Sequence, residues 1–159
     1  MKRAIYPGTF DPVTYGHLDI VNRGLSIFDE IIIAVAADSQ KKTLFTVEER
    51  IDMIRRAIGE MPRVSVESFK GLLVRHIEGK NAHAIIRGLR EVSVFEYEFQ
   101  MALMNRKLNK NIETIFLMSN EKYTYLTSSI VKEVAFLGGD VKAFVPPYVR
   151  SLLKKRIKG

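Results

Sequence analysis

The stretch GTFDPVTYGHLDI, residues 8–20, sets glycine, proline, threonine, aspartate and histidine between two apolar stretches. Ala4-Ile5-Tyr6 precedes it as a short strand-like run, and Leu18, Val21, Leu25 and Phe28 follow at helical spacing. A histidine and a glycine therefore stand at the first turn of a first helix, straight after a first strand. Groups of related chemistry recur further along. They are Lys41 and Lys42; Ser68, Lys70 and Gly71; Arg87 and Arg90; Ser119, Asn120, Lys122 and Thr124; and Thr127, Ser128 and Ser129. The set is rich in cations and hydroxyls and poor in carboxylates. Such a set suits the binding of several phosphates.

Each piece alone has a plainer explanation. Gly8 can relieve a turn, Thr14 can cap a helix, and Thr127-Ser128-Ser129 before an apolar run can do the same. Arg87 and Arg90 can pair with Glu91 or other surface acids, and Glu96 and Glu98 can form a solvated face. His76 and His83 have no chemical context and read as structural. Convergence favours the functional reading, provided the elements bring these groups to one place.

The elements predict that they do. Strand-like runs cover Arg3 to Tyr6, Glu30 to Ala37, Val64 to Glu67, His83 to Arg87 and Thr114 to Met118. They are short, rich in Ile, Val and Ala, and often apolar on both faces, as buried parallel strands are. Helical patterns fall between them. Thr46-Val-Glu-Glu49 reads as a capping box ahead of Ile51, Ile54 and Ile58. Leu72, Leu73 and Ile77 mark a short helix, Glu91 to Leu108 a long one, and Ile130, Val131, Val134 and Leu137 another, stopped by Gly138-Gly139. Pro146-Pro147 opens a last helix. The alternation predicts an α/β chain with a doubly wound, five-stranded parallel sheet, one domain over residues 1–159. Right-handed crossovers then put every strand-to-helix loop at one sheet edge, where such folds bind ligands.

Composition sets the outer limits. The chain has 159 residues, 47% hydrophobic and 27% charged, ordinary for a soluble globular protein. The net charge of +7 favours anionic partners. Part of it is the cluster Lys154, Lys155, Arg156 and Lys158, which reads as a solvated helix end. No cysteine is present, so there is no disulfide framework or thiolate chemistry. The longest apolar run, Ile31 to Ala37, is too short to span a bilayer. A cytoplasmic protein without a membrane partner is expected. The sequence has neither a Walker loop nor a G-x-G-x-x-G fingerprint, and neither paired carboxylates nor metal-ligand spacing, so no metal-ligating residues are expected.

Five segments carry a resemblance: KRAIYPGTFDP, FTVEER, IIRGLR, FEYEFQMALMNRKL and SSIVKEVA. In order and spacing, over essentially the whole chain, they resemble the bacterial phosphopantetheine adenylyltransferases. These belong to the nucleotidyltransferase superfamily, whose T/H-x-G-H signature is Thr14-Tyr-Gly-His17 here. The resemblance implies a Rossmann-like nucleotidyltransferase fold, usually a homohexamer. It implies a reaction of ATP with 4'-phosphopantetheine to give dephospho-coenzyme A and pyrophosphate, with Mg2+ held mainly through ATP. Positioning and charge stabilisation would then do the work. His17 would donate to the α-phosphate at a helix N-terminus, and Gly16 would let the ligand approach the backbone.

The resemblance also implies residue roles. Thr9 would hold the phosphate of phosphopantetheine, with the backbone of Thr9 and Phe10 near ATP. His17 would stabilise the transition state and Lys41 would bridge the reacting phosphates. Leu73, Arg87, Met104 and Asn105 would line the phosphopantetheine pocket. Gly88, Leu89, Arg90 and Glu98 would surround ATP, and Tyr123, Thr124, Tyr125, Leu126, Thr127, Ser128 and Ser129 would close over it. The sequence departs from the commonest family pattern at Tyr15, Tyr123 and Thr127.

Two rival readings exist. A neighbouring nucleotidyltransferase, such as a nicotinamide-mononucleotide adenylyltransferase, usually carries histidine where Thr14 stands. A small basic nucleic-acid-binding domain would suit the charge, but the sequence lacks aromatic strand motifs and zinc spacing. No nucleic-acid partner is expected.

Overall fold

A computed structural model describes residues 1–38, 42–89 and 92–158. The elements run β1 (Arg3–Gly8), α1 (Tyr15–Gly24), β2 (Glu30–Ala36), α2 (Val47–Ile58), β3 (Val64–Phe69) and α3 (Leu73–Ile77). They continue with β4 (Ala84–Leu89), α4 (Val92–Leu108), β5 (Glu113–Met118), α5 (Ser128–Phe136) and α6 (Pro147–Lys158). A single 3-10 turn over Glu121–Tyr123 precedes α5.

The strands form one parallel sheet in the order β3-β2-β1-β4-β5. Period-two alternation explains why both faces are covered. Ala4 and Tyr6, with Ile31, Ile33 and Val35, join a core with α1, α2, α5 and α6. Ile5, Ala34 and Ile85 point the other way, onto Val74 and Ile77 of α3. The capping box at Thr46 and Glu49 forms as expected. Gly138 takes a φ of +86° just past α5, the conformation a helix stop needs. Among the described residues no helix is long and apolar enough to cross a membrane.

The chain starts in the middle of the sheet, winds outward to β3, then returns to place β4 on the other side of β1. The order reverses between β1 and β4, and β4 pairs with β1 only at Ala4 and Ile5. Beyond Ile5 the two strands part, which opens the sheet's carboxyl edge at its switch point. This explains how β1 outruns its expected end at Tyr6. Pro7 and Gly8 stay paired with β2, where the ladder is complete, while the β4 side is already open. Gly88 sits at the same opening. A Cβ there would stand 3.0 Å from Ile20 Cγ1, so glycine allows α1 to pack closely on β4.

Candidate active site

A cleft of about 560 Å³ opens at this edge. The β1–α1 turn forms its floor. Phe10 takes a φ of +52°, a left-handed backbone that costs a bulky residue about 1–3 kcal/mol. Burial holds it there: Phe10 is 3% exposed and meets the rings of Tyr6 and His17 with centroids 5.3 and 4.9 Å away.

Thr14 caps α1, and His17 completes a capping box. The Thr14 backbone N–H donates to His17 Nδ1 at 3.0 Å, while the His17 backbone N–H donates to Thr14 Oγ1 at 3.4 Å. A nitrogen that accepts from a backbone amide carries no hydrogen. The neutral ring therefore holds its proton on Nε2 as a donor. The helix cap thus fixes both the orientation and the tautomer of the histidine.

The neighbouring loops are tied to this turn. Asp11 accepts from the backbone N–H groups of Leu44 (2.8 Å) and Phe45 (2.9 Å) and from Lys132 Nζ on α5 (2.8 Å). Buried Arg50 donates to the carbonyls of Thr9 (2.7 Å), Ala36 (3.1 Å) and Phe45 (3.2 Å). Burial pushes its guanidinium below the ordinary arginine value. Ser128 Oγ donates to the Pro12 carbonyl at 2.7 Å, and Thr127 caps α5 by accepting from the Ile130 N–H.

The far wall comes from β4 and α4. Arg87 forms a two-point pair with Glu98, Nε to Oε2 at 2.8 Å and Nη2 to Oε1 at 2.7 Å. Its Nη1 donates to the Pro7 carbonyl at 3.1 Å, across the opened strands. Burial lowers the basicity of Arg87, but the Glu98 carboxylate more than offsets this and holds the group above its ordinary value. Glu98, Met101, Ala102 and Asn105 recur at helical spacing and face the cleft.

Of the residues expected at the site, Thr9, Phe10, His17, Leu73, Arg87, Gly88, Glu98, Asn105, Tyr123, Leu126, Thr127, Ser128 and Ser129 line this one cleft. Leu89, Met104, Thr124 and Tyr125 do not. Met104 is 57% exposed on α4, and Tyr125 is half exposed beside Phe144. Thr124 Oγ1 donates to the Glu121 carbonyl. Lys41 and Arg90 lie outside the described residues. The plain explanations also hold in part: Thr14 and Thr127 are helix caps, and Arg87 does pair with an acid, though with Glu98 and not with a surface group. His76 has the structural role expected of it, with Nε2 2.9 Å from Glu67.

Sequence reasoning missed Lys132, Tyr97 and Thr43 on the cleft wall, and the tying roles of Asp11 and Arg50. Arg50 is one of the few buried charged residues, a signal that appears only once α2 is packed. Among the described residues no three His, Cys, Asp or Glu side chains cluster as metal ligands. The cleft's buried carboxylates, Asp11 and Glu98, already face Lys132 and Arg87. Among the described residues, a cation in the cleft would meet these two carboxylates only in competition with Lys132 and Arg87.

Comparison with known proteins agrees with this geometry. The cytidylyltransferase-like family matches residues 5–134. A phosphopantetheine adenylyltransferase of Geobacter metallireducens is 55% identical over 155 residues, covering 98% of this chain and 95% of the relative. One from Moorella thermoacetica is 54% identical over 156 residues, covering 98% of both chains. Among solved structures, a Plasmodium falciparum nicotinic acid mononucleotide adenylyltransferase complexed with NaAD superposes with a TM-score of 0.71. It covers 98% of this chain and 96% of that one. At 16% identity that likeness shows the fold alone. The T-x-G-H turn, the parallel sheet that opens above it, and relatives more than half identical over nearly the whole chain agree: the chain belongs to the phosphopantetheine adenylyltransferase family of cytidylyltransferase-like proteins.

Proposed function

We propose that the chain transfers the adenylyl group of ATP to 4'-phosphopantetheine, giving dephospho-coenzyme A and pyrophosphate. The observation that carries this reading is the fixed His17 ring at the N-terminus of α1, which lines one cleft with Arg87. A phosphate oxygen of the acceptor attacks the α-phosphorus of ATP in line. The new P–O bond forms as the bond to the bridging oxygen breaks, and pyrophosphate leaves with the electron pair. The nucleophile is already ionised at neutral pH, so a general base is not needed. Positioning remains, worth on the order of 7–11 kcal/mol, together with stabilisation of charge at the α-phosphate.

Nε2–H of His17 would donate to that phosphate, helped by the partial positive charge of the helix end. Thr9 and Arg87 would hold the acceptor phosphate, with Leu73 and Asn105 along the pantetheine arm. Lys41 would bridge the reacting groups. Phe10, Gly88, Leu89, Arg90 and Glu98 would surround ATP, and residues 123–129 would close over it. Mg2+ would enter on ATP, held by phosphate oxygens and water, and would ease departure of pyrophosphate. One domain would carry both substrates.

We also infer that copies associate through α4, as a homohexamer. Phe99, Leu103, Met104 and Leu108 of that helix are all more than 45% exposed, as is no comparable set on α2. The use of ATP as a substrate supports a cytoplasmic location.

Pyrophosphate release with ATP and Mg2+ tests the acceptor. The reading expects fast release with 4'-phosphopantetheine and little with nicotinamide or nicotinate mononucleotide. The reverse preference would overturn it.

A further inference from the structure

Asp11 ties together parts of the chain that lie far apart in sequence. Its side chain is 4% exposed, and its carboxylate gathers three donors. Oδ1 accepts from the Phe45 N–H at 2.9 Å. Oδ2 accepts from the Leu44 N–H at 2.8 Å and from Lys132 Nζ at 2.8 Å. Leu44 and Phe45 directly follow Lys42 and Thr43, which line the cleft. From the other side, Arg156 of α6 donates to the Leu44 carbonyl at 2.9 Å and stacks over the Phe45 ring. Lys132 also lines the cleft, 23% exposed.

A lysine is a point charge on a flexible stem, and free rotation would dilute its effect on any ligand. Its ammonium has three N–H donors. Asp11 engages one, which fixes the head at the cleft wall and leaves two for a ligand. Lys132 also neutralises the buried carboxylate, as a buried charge requires.

We propose that Asp11 is a positioning residue for the cationic side of the site: it holds Lys132 as a contact for the polyphosphate of ATP and fixes the end of the lysine-bearing segment at 42–45. This rests on the nucleotidyl-transfer reading above. Lys132 then contributes a charge that follows the phosphates from substrate to pyrophosphate. Asp11 acts through it and does not touch the ligand.

The test uses Asp11→Asn, Lys132→Met, Lys132→Arg and the Asp11→Asn/Lys132→Met pair. Affinity for inorganic pyrophosphate by calorimetry, kcat, both KM values and the thermal midpoint are measured for each. The proposal expects Asp11→Asn and Lys132→Met each to lower kcat about tenfold to a hundredfold and to weaken pyrophosphate binding. The double variant is expected to match the worse single within about twofold, because both act at one contact. Lys132→Arg, which keeps the cation, is expected to recover most of both. If Asp11→Asn lowers only the thermal midpoint, or if the two effects multiply in the double variant, Asp11 has no positioning role. Wild type that binds pyrophosphate but ignores 4'-phosphopantetheine refutes the acceptor instead, and leaves the pyrophosphate comparison intact.

Discussion

The wall of the cleft that follows β1 is held by side chains that reach across the chain, whereas among the described residues the wall made by β4 and α4 is held by Arg87, through Glu98 and the Pro7 carbonyl. On the first wall Arg50, Asp11, Lys132 and Ser128 join segments 33 to 121 positions apart or satisfy buried carbonyls. On the second, Arg87 meets Glu98 and Pro7, and behind them α4 exposes apolar side chains. Its cleft face carries Tyr97, Glu98, Met101, Ala102 and Asn105, while Phe95, Phe99, Leu103, Met104 and Leu108 are 40% exposed or more. The second wall has apolar faces that one chain leaves uncovered. On the proposed function, the rigid turn would serve the reacting phosphates, and copies associated through α4 would back the second wall.

The comparison breaks most severely at Arg50. Arg50→Met leaves three carbonyls, one buried and two part-buried, without this donor and costs about 3–5 kcal/mol, read as a fall in the urea midpoint. A loss below about 1 kcal/mol would mean that the first wall is not held as described. Glu98→Gln touches the second wall. It removes the charge that faces Arg87 and costs less, about 1–3 kcal/mol. It also raises the KM for 4'-phosphopantetheine more than that for ATP, because Arg87 loses its orientation; equal changes would separate the pair from the acceptor.

Thr14→Ala sharpens the account of the first wall. Loss of the cap costs about 1 kcal/mol. Turnover falls further than that stability change explains, since His17 Nδ1 keeps its amide partner but loses the hydroxyl beside it. Leu103→Glu makes the smallest change to the chain's own stability, within about 0.5 kcal/mol, because the side chain is already exposed. Light scattering is where its effect is expected, as a shift toward smaller species. An unchanged assembly would remove α4 from the interface.

What the sequence could reveal follows from how local each interaction is. The turn at residues 8–20 was legible because its chemistry lies within a few positions: Thr14 and His17 are three apart, one helical turn. The alternating strands were legible because a sheet covered on both faces requires apolar residues at successive positions. Gly138 and the Thr46 box announced their helix ends by residue type alone. Asp11 with Lys132 and Arg50 with Thr9 were not legible, since neither pair shares an element and α2 displays Arg50 beside ordinary surface arginines. The extension of β1 through Pro7 was hidden for another reason. Proline argues against a central strand until the ladder to β4 is seen to end at Ile5.

The central claim is adenylyl transfer by positioning, with His17 as the oriented donor. Its most direct test is pyrophosphate release from ATP, Mg2+ and 4'-phosphopantetheine by the wild type beside His17→Ala, with ATP binding measured in both. The account predicts fast release by wild type and a fall of about a hundredfold or more in the variant with ATP binding kept. Turnover that survives the loss of His17 in a folded variant would contradict it.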